Sequence, residues 1–226
     1  MYTHRTITAK SGKLMSERDM YKFFDNKYVF TNEKIAELYD KKSNETVFTA
    51  KVQLEQKINA LKRQRKMWAI KRANLLFGLE SSAEYARKLS NYLLEKNENN
   101  KILIFTKFTE LADQIACSYH NGTTDENLVR FNNNEIRALA VSKKVQRGYN
   151  FKDLNHVIAC GFDSSEDYFE QAINGRATRL RVGETAYLHL ICPTVDGKPT
   201  RASEWIENIL KNFDKTRIVH WDARKD

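Results

Sequence analysis

The sequence predicts an α/β protein: a doubly wound parallel sheet flanked by helices and preceded by a helical N-terminal region. Three observations predict it. After Lys101, short apolar runs alternate with helical stretches, the signature of strand–helix winding. The runs are continuous rather than alternating, which implies strands covered on both faces, as in a parallel sheet. Only 2 Pro and 8 Gly punctuate the 226 residues, so the chain has few breakers and reads as mostly ordered helix and strand.

Residues 1–45 read as irregular structure with a short helix. From Ala50 to Phe77 there is no Gly or Pro, and Leu54, Leu61, Trp68 and Leu75 recur every seven residues with Ile58 between them. That is one long helix with a narrow apolar stripe, stopped by Gly78. Its remaining surface carries Lys57, Lys62, Arg63, Arg65, Lys66, Lys71 and Arg72. Ser81 with Glu84 reads as a capping box opening a second helix toward Lys96, and the polar run Glu95 to Asn100 reads as a loop. The change of character near Lys101 divides the chain into a mainly helical region and connector, 1–100, and an α/β lobe, 101–226. In the lobe the expected strands are Ile102–Phe105, Ile136–Val141, His156–Cys160 and Tyr187–Ile191, with Ile218–Trp221 at the end. Helices are expected near Thr109–Ser118, Asp125–Asn132, Tyr168–Arg179 and Thr200–Phe213. The last places Trp205, Ile206, Ile209, Leu210 and Phe213 on one face.

No apolar run approaches the ~18 residues of a membrane span, and the amino terminus lacks the apolar core of a signal peptide. A soluble, non-exported protein of the cytoplasm is expected, that of the host cell if the source is viral. The net charge of +9 points to a polyanionic partner, because cations that neutralise phosphates release condensed counterions. Cys117, Cys160 and Cys192 are odd in number, far apart and without CxxC spacing, which fits buried reduced thiols rather than zinc or disulfides. His156 and His189 fall in or beside strand patterns, where packing roles are commoner than ligand roles. No metal-ligand cluster and no nucleophile–base pair emerges.

The segment richest in chemistry is Gln171-Ala-Ile-Asn-Gly175-Arg176-Ala-Thr-Arg179. Gln171, Gly175 and Arg179 recur every fourth residue with Arg176 beside the glycine, so a helix presents them toward one ligand. Two neighbouring guanidiniums repel each other unless an anion satisfies them, and a triphosphate does so with bidentate hydrogen bonds. The alternative is a surface helix whose arginines pair with Glu166, Asp167 and Glu170.

This segment resembles motif VI (QxxGRxxR) of superfamily 2 helicases. The preceding chain is similar to that family's second lobe in order. Lys101-Ile-Leu-Ile-Phe-Thr106 resembles motif IV, and Tyr119-His-Asn-Gly122 the following strand end with its glycine. Leu128-Val-Arg-Phe131 resembles the helix before the next strand. Ala140-Val-Ser142 through Gly148-Tyr-Asn150 resembles motif V, and Leu154 to Ile158 the strand after it. The helices before Lys101 resemble the connector that leads into this lobe. The resemblance covers about residues 101–192 and implies a RecA-like fold.

What the resemblance implies can be written residue by residue. Arg179 acts as the arginine finger on the γ-phosphate of ATP, with Arg176 stabilising the same charge. Gln171 couples nucleotide to the cleft and Gly175 lies beside it. Gly148 lets the backbone pass close to the nucleotide, and Asn150 stands near its ribose where many relatives have Asp. Thr106, Gly122 and Ser142 offer hydroxyl and amide donors to nucleic-acid phosphates, with Lys143 and Lys144 adding charge. The form of motif VI resembles that of DNA-repair and recombination helicases, which implies DNA in preference to RNA.

Within the 226 residues there is no GxxxxGK followed by Ser or Thr to cradle phosphates, and no acidic pair after an apolar strand to hold Mg2+. Ser11-Gly12-Lys13 runs into Leu14, and Asp125-Glu126 follows the polar Gly122-Thr-Thr. A P-loop lobe, in the same protein or a separate chain, is therefore expected to share ATP and to bring Mg2+. A non-enzymatic nucleic-acid-binding or regulatory module is the other reading, although such a module has no use for arginine fingers.

Overall fold

The computed structural model describes residues 7–8, 14–142, 151–161, 185–211 and 213–220. They fall into two compact units, Met1–Leu79 and Glu80–Asp226.

The first unit is a helical hairpin after a short ladder of β1 (Ile7–Thr8) and β2 (Leu14–Met15), paired antiparallel. Helix α1 runs Glu17–Asn44 and α2 runs Phe48–Phe77. The short helix expected within residues 1–45 is thus corrected to one of 28 residues. Its start is built by Ser16, whose hydroxyl accepts the Asp19 amide, and acidic Glu17 and Asp19 favour the positive end of the helix dipole. Its core stripe, Met20, Thr31 and Ile35, is obscured in sequence by Phe23, Val29, Phe30 and Tyr39, which stay exposed. The polar Thr31 tolerates burial because its hydroxyl donates to the Lys27 carbonyl at 2.7 Å. The helices run antiparallel: Arg72 pairs with Asp25, Arg65 donates to Asn32, and Lys42 pairs with Glu55. Gly78 ends α2 as expected, its amide donating to the Asn74 and Leu75 carbonyls.

The second unit holds α3 (Glu80–Lys96), β3 (Ile102–Thr106), α4 (Thr109–Ile115), β4 (Ser118–Tyr119), α5 (Glu126–Asn132), β5 (Ala138–Ser142), β6 (His156–Cys160), β7 (Tyr187–Leu190) and α6 (Arg201–Leu210). A small antiparallel ladder, β8 (Thr194–Val195) with β9 (Lys198–Pro199), lies between β7 and α6. The main sheet has the order β4-β5-β3-β6-β7, all parallel.

Strand periodicity sends alternate residues to opposite faces. Ile102, Ile104, Ala140, Ile158 and Cys160 pack with Ala83, Ala86 and Leu93 of α3 and Leu111, Ala112 and Ile115 of α4. Leu103, Phe105, Leu139, Val141, Val157 and Ala159 pack with Leu128 and Phe131 of α5 and Ile206 and Ile209 of α6. Both faces are covered, as the continuous apolar runs require. Each fully buried Ile or Leu contributes about 2 kcal/mol. Because α3 supplies one of these layers, the units part before it, at Leu79, rather than at the change of sequence character near Lys101. Arg137 reinforces that attachment by donating to the Leu94, Asn97 and Glu98 carbonyls at the end of α3.

Three further expectations are corrected. Ile218 to His220 form no strand, and Val219 is exposed; a 3-10 turn over Lys215–Arg217 precedes them. Helix α3 opens at Glu80, one residue before the expected Ser81. Cys117 and Cys192 are exposed, although all three thiols are free; only Cys160 is buried, which pushes its thiol up to about 12.

Candidate nucleic-acid and nucleotide site

In a parallel α/β sheet the loops beyond the carboxyl ends of the strands form the ligand-facing edge. Register sets Thr106 level with Ser142 on one side and with Cys160 on the other. The Thr106 hydroxyl donates to the Phe108 carbonyl at 2.9 Å, and the Ser142 hydroxyl to the Lys107 carbonyl at 3.0 Å. Both residues are buried. A hydroxyl has one hydrogen to donate, so these two give theirs to the main chain and clamp the Lys107–Phe108 turn. In this state they shape the loop that follows β3 and keep only acceptor capacity for a ligand.

Gly122 lies in the turn after β4. Its amide donates to Nδ1 of His120 at 3.2 Å, which makes Nδ1 the unprotonated nitrogen and Nε2 the donor to Asp113 Oδ1 at 3.0 Å. Ser118 donates to the same carboxylate oxygen. The Ser118 hydroxyl first, and His120 after it, hold the Asp113 carboxyl below the usual range. The turn is closed by Thr123, whose amide and hydroxyl both donate to the His120 carbonyl at 3.0 Å. A Cβ on Gly122 would meet the His120 ring at 3.3 Å, so the glycine permits close contact with the imidazole. The amide that sequence reasoning offered to a phosphate is therefore engaged with His120. Asp113, Ser118 and His120 are the residues that sequence reasoning missed. No spacing signals them, because they meet only when α4 and β4 pack.

The other expected site residues, Lys143, Lys144, Gly148, Asn150, Gln171, Gly175, Arg176 and Arg179, lie outside the described residues. The described chain stops short of them at two points, on strands that flank β3. β5 ends at Ser142 immediately before Lys143, and β6 ends at Cys160, followed by Gly161 with φ 106°. In sequence, Gly175, Arg176 and Arg179 keep the GRxxR spacing, whereas Gln171 stands four residues before Gly175. That is one more than QxxGRxxR allows, and it weakens the glutamine's assignment relative to the arginines.

Among the described residues no group of three His, Cys, Asp or Glu side chains is placed to hold a metal. Nor is any described helix long and apolar enough to cross a membrane. His156 and His189 face each other across β6 and β7 with Nδ1 and Nε2 3.0 Å apart, and His156 stacks on Tyr187.

The second unit is an α/β lobe of the doubly wound class, a five-stranded parallel sheet with helices packed on both faces. Residues 84–181 match the helicase conserved C-terminal domain, a span that runs from α3 through Arg179. No curated protein matches the chain. Among solved structures, the E. coli DEAD-box protein SrmB bound to regulator of ribonuclease activity A is 20% identical over 48% of this chain and 71% of that one, with a TM-score of 0.41. The second domain of a DEAD-box helicase bound to an RNA duplex is 19% identical over 49% of each chain, with a TM-score of 0.37. The Pyrococcus furiosus Hef helicase domain is 19% identical over 77% of this chain and 37% of that one, with a TM-score of 0.42. The chain thus spans half or less of the last two.

Proposed function

We propose that the chain is the second lobe of an ATP-dependent nucleic-acid motor, acting on DNA, whose ATPase site is completed by a P-loop lobe. The observation that carries this reading is the helicase C-terminal match across residues 84–181, which encloses Gly175, Arg176 and Arg179. Arginines at GRxxR spacing serve a transition state in which charge develops on the γ-phosphoryl oxygens. Arg179 supplies the principal guanidinium and Arg176 the second, while Gly148, Asn150, Gln171 and Gly175 border the nucleotide. The partner lobe brings Mg2+ and the phosphate cradle. Lys143 and Lys144 meet the nucleic-acid backbone, as do the turns that Thr106, Ser142 and Gly122 shape.

The test is a two-lobe assembly with Arg179→Ala. Arginine fingers contribute roughly 10³–10⁵ in rate, so turnover should fall by about 10³-fold or more while DNA affinity stays nearly constant. Parallel loss of DNA binding would make Arg179 a phosphate-backbone or structural residue instead. Stimulation of turnover by single-stranded RNA equal to that by DNA would remove the preference for DNA.

A further inference from the structure

Five aromatic rings of the α1–α2 hairpin have a cation over them. Lys27 lies over Phe23, Lys34 over Phe30, Lys62 over Tyr39, Lys71 over Trp68 and Arg72 over Tyr28, at 4.5–5.7 Å from the ring centroids. Folded proteins hold about one such pair per 70–80 residues, so five within one hairpin mark a specialised surface. They sort onto two flanks. Arg72 is on the flank where it pairs with Asp25 and where Arg65 meets Asn32, which ties those two guanidiniums up within the fold.

On the other flank the rings face solvent. Phe23 is 41% and Phe30 55% exposed. Seven residues separate them, which on a helix means the same face and about 10.5 Å. The Phe23 ring contacts Trp68 edge-on at 5.9 Å, which brings Lys71 of α2 onto this flank beside Lys27 and Lys34 of α1. Lys34 also reaches Glu37 at 2.9 Å, an exposed pair that a phosphate can displace at little cost.

We propose that Phe23, Phe30 and Trp68, with Lys27, Lys34 and Lys71, form a stacking platform for single-stranded nucleic acid. Charge selects this occupant. Lys27, Lys34 and Lys71 each stand over one of the three rings, and Lys71 belongs to a stretch between Glu55 and Glu80 that has no Asp or Glu. A protein-docking face surrounds its apolar rings with further apolar groups, whereas here Phe23 and Phe30 are each bordered by an ammonium. Rings with adjacent cations bind bases through their faces and phosphates through charge, without reading sequence. A duplex keeps its base faces stacked internally, so the platform takes a single strand. The proposal deepens the motor reading by giving the strand a second contact outside the lobe.

The experiment uses the whole chain and three labelled probes: a 20-mer of deoxythymidine, a 20-mer of uridine and a 20-base-pair duplex. Phe30→Ala should weaken binding of the single strands by about 5–100-fold, the range of one base–aromatic stack, with far less effect on the duplex. Phe30→Tyr, which keeps the ring, should bind as the parent does. Lys27→Gln with Lys34→Gln should lower the salt slope on single strands by about 1.4. Phe30→Ala at parental affinity, with native circular dichroism, would overturn the platform and assign the flank to protein contact. Equal losses on duplex and single strand would overturn it too. Lys143→Gln with Lys144→Gln tests the lobe separately: if that pair is silent while Phe30→Ala is not, the lobe reading fails and the platform stands.

Discussion

Nδ1 of His120 accepts the amide hydrogen of Gly122 at 3.2 Å, and this one bond fixes both the tautomer of the ring and the course of the turn after β4. Because Nε2 then donates to Asp113, α4, β4 and the turn are held by a single imidazole. His120→Ala leaves the Gly122 amide and part of the Asp113 carboxylate without partners and should destabilise the fold by about 1–3 kcal/mol, read by urea denaturation. Gly122→Ala should cost less, because only the ring must shift to relieve a 3.3 Å contact. Equal stability of His120→Ala and parent would show that water replaces the imidazole.

The histidine pair on β6 and β7 predicts acid sensitivity. Burial, with His156 alongside, pushes His189 down to about 4, and burial lowers His156 as well. Unfolded histidine titrates near 6.5, so the unfolded chain binds protons first and protonation favours unfolding. The contribution is fully present above about pH 6.5, is lost as pH falls, and levels off near pH 4 once folded His189 protonates. Between pH 7.5 and 5 the pair should cost about 1–2 kcal/mol. His189→Phe should flatten the fall in Tm over that interval; an unchanged fall would place the acid sensitivity elsewhere.

The 226-residue chain alone should hydrolyse ATP no faster than background, with or without nucleic acid. Its sequence contains no phosphate cradle and no acidic pair for Mg2+. Strand-stimulated turnover by rigorously purified chain would contradict this.

Basic α2 predicts a salt effect and a stability effect in different cations. Changing Lys62, Arg63 and Lys66 together to Gln should flatten the log K against log salt slope by about two units if most touch phosphate. Folding should survive, since Gln is a good helix former. Arg72→Ala should act oppositely, sparing the slope but destabilising the hairpin by about 1–3 kcal/mol, because its side chain is only 10% exposed and is paired with Asp25. Chemical denaturation with a salt titration separates the two.

The sequence alone determined the winding of the lobe. Ile102–Thr106 and His156–Cys160 are legible because a strand covered on both faces must be apolar at every position. Phe48–Phe77 is legible because its stripe repeats without Gly or Pro. The helicase resemblance follows from short segments that stay in order along the chain. Only tertiary structure decided which side chains those segments leave available. Thr106 and Ser142 read as phosphate donors, yet Thr106 turns its hydroxyl onto the nearby Phe108 carbonyl and Ser142 turns its own onto Lys107, at the end of a strand distant in sequence. His120 and Asp113 signal nothing until α4 lies against β4. The length of helix α1 escaped notice because Phe23 and Phe30, apolar but exposed, overprint its buried stripe. Ile218 and Val219 misled because an apolar pair encodes burial only where a neighbouring strand pairs with it. Periodicity reports which residues share a face, but hydrogen bonding across the sheet and between helices is set by partners far away in the chain.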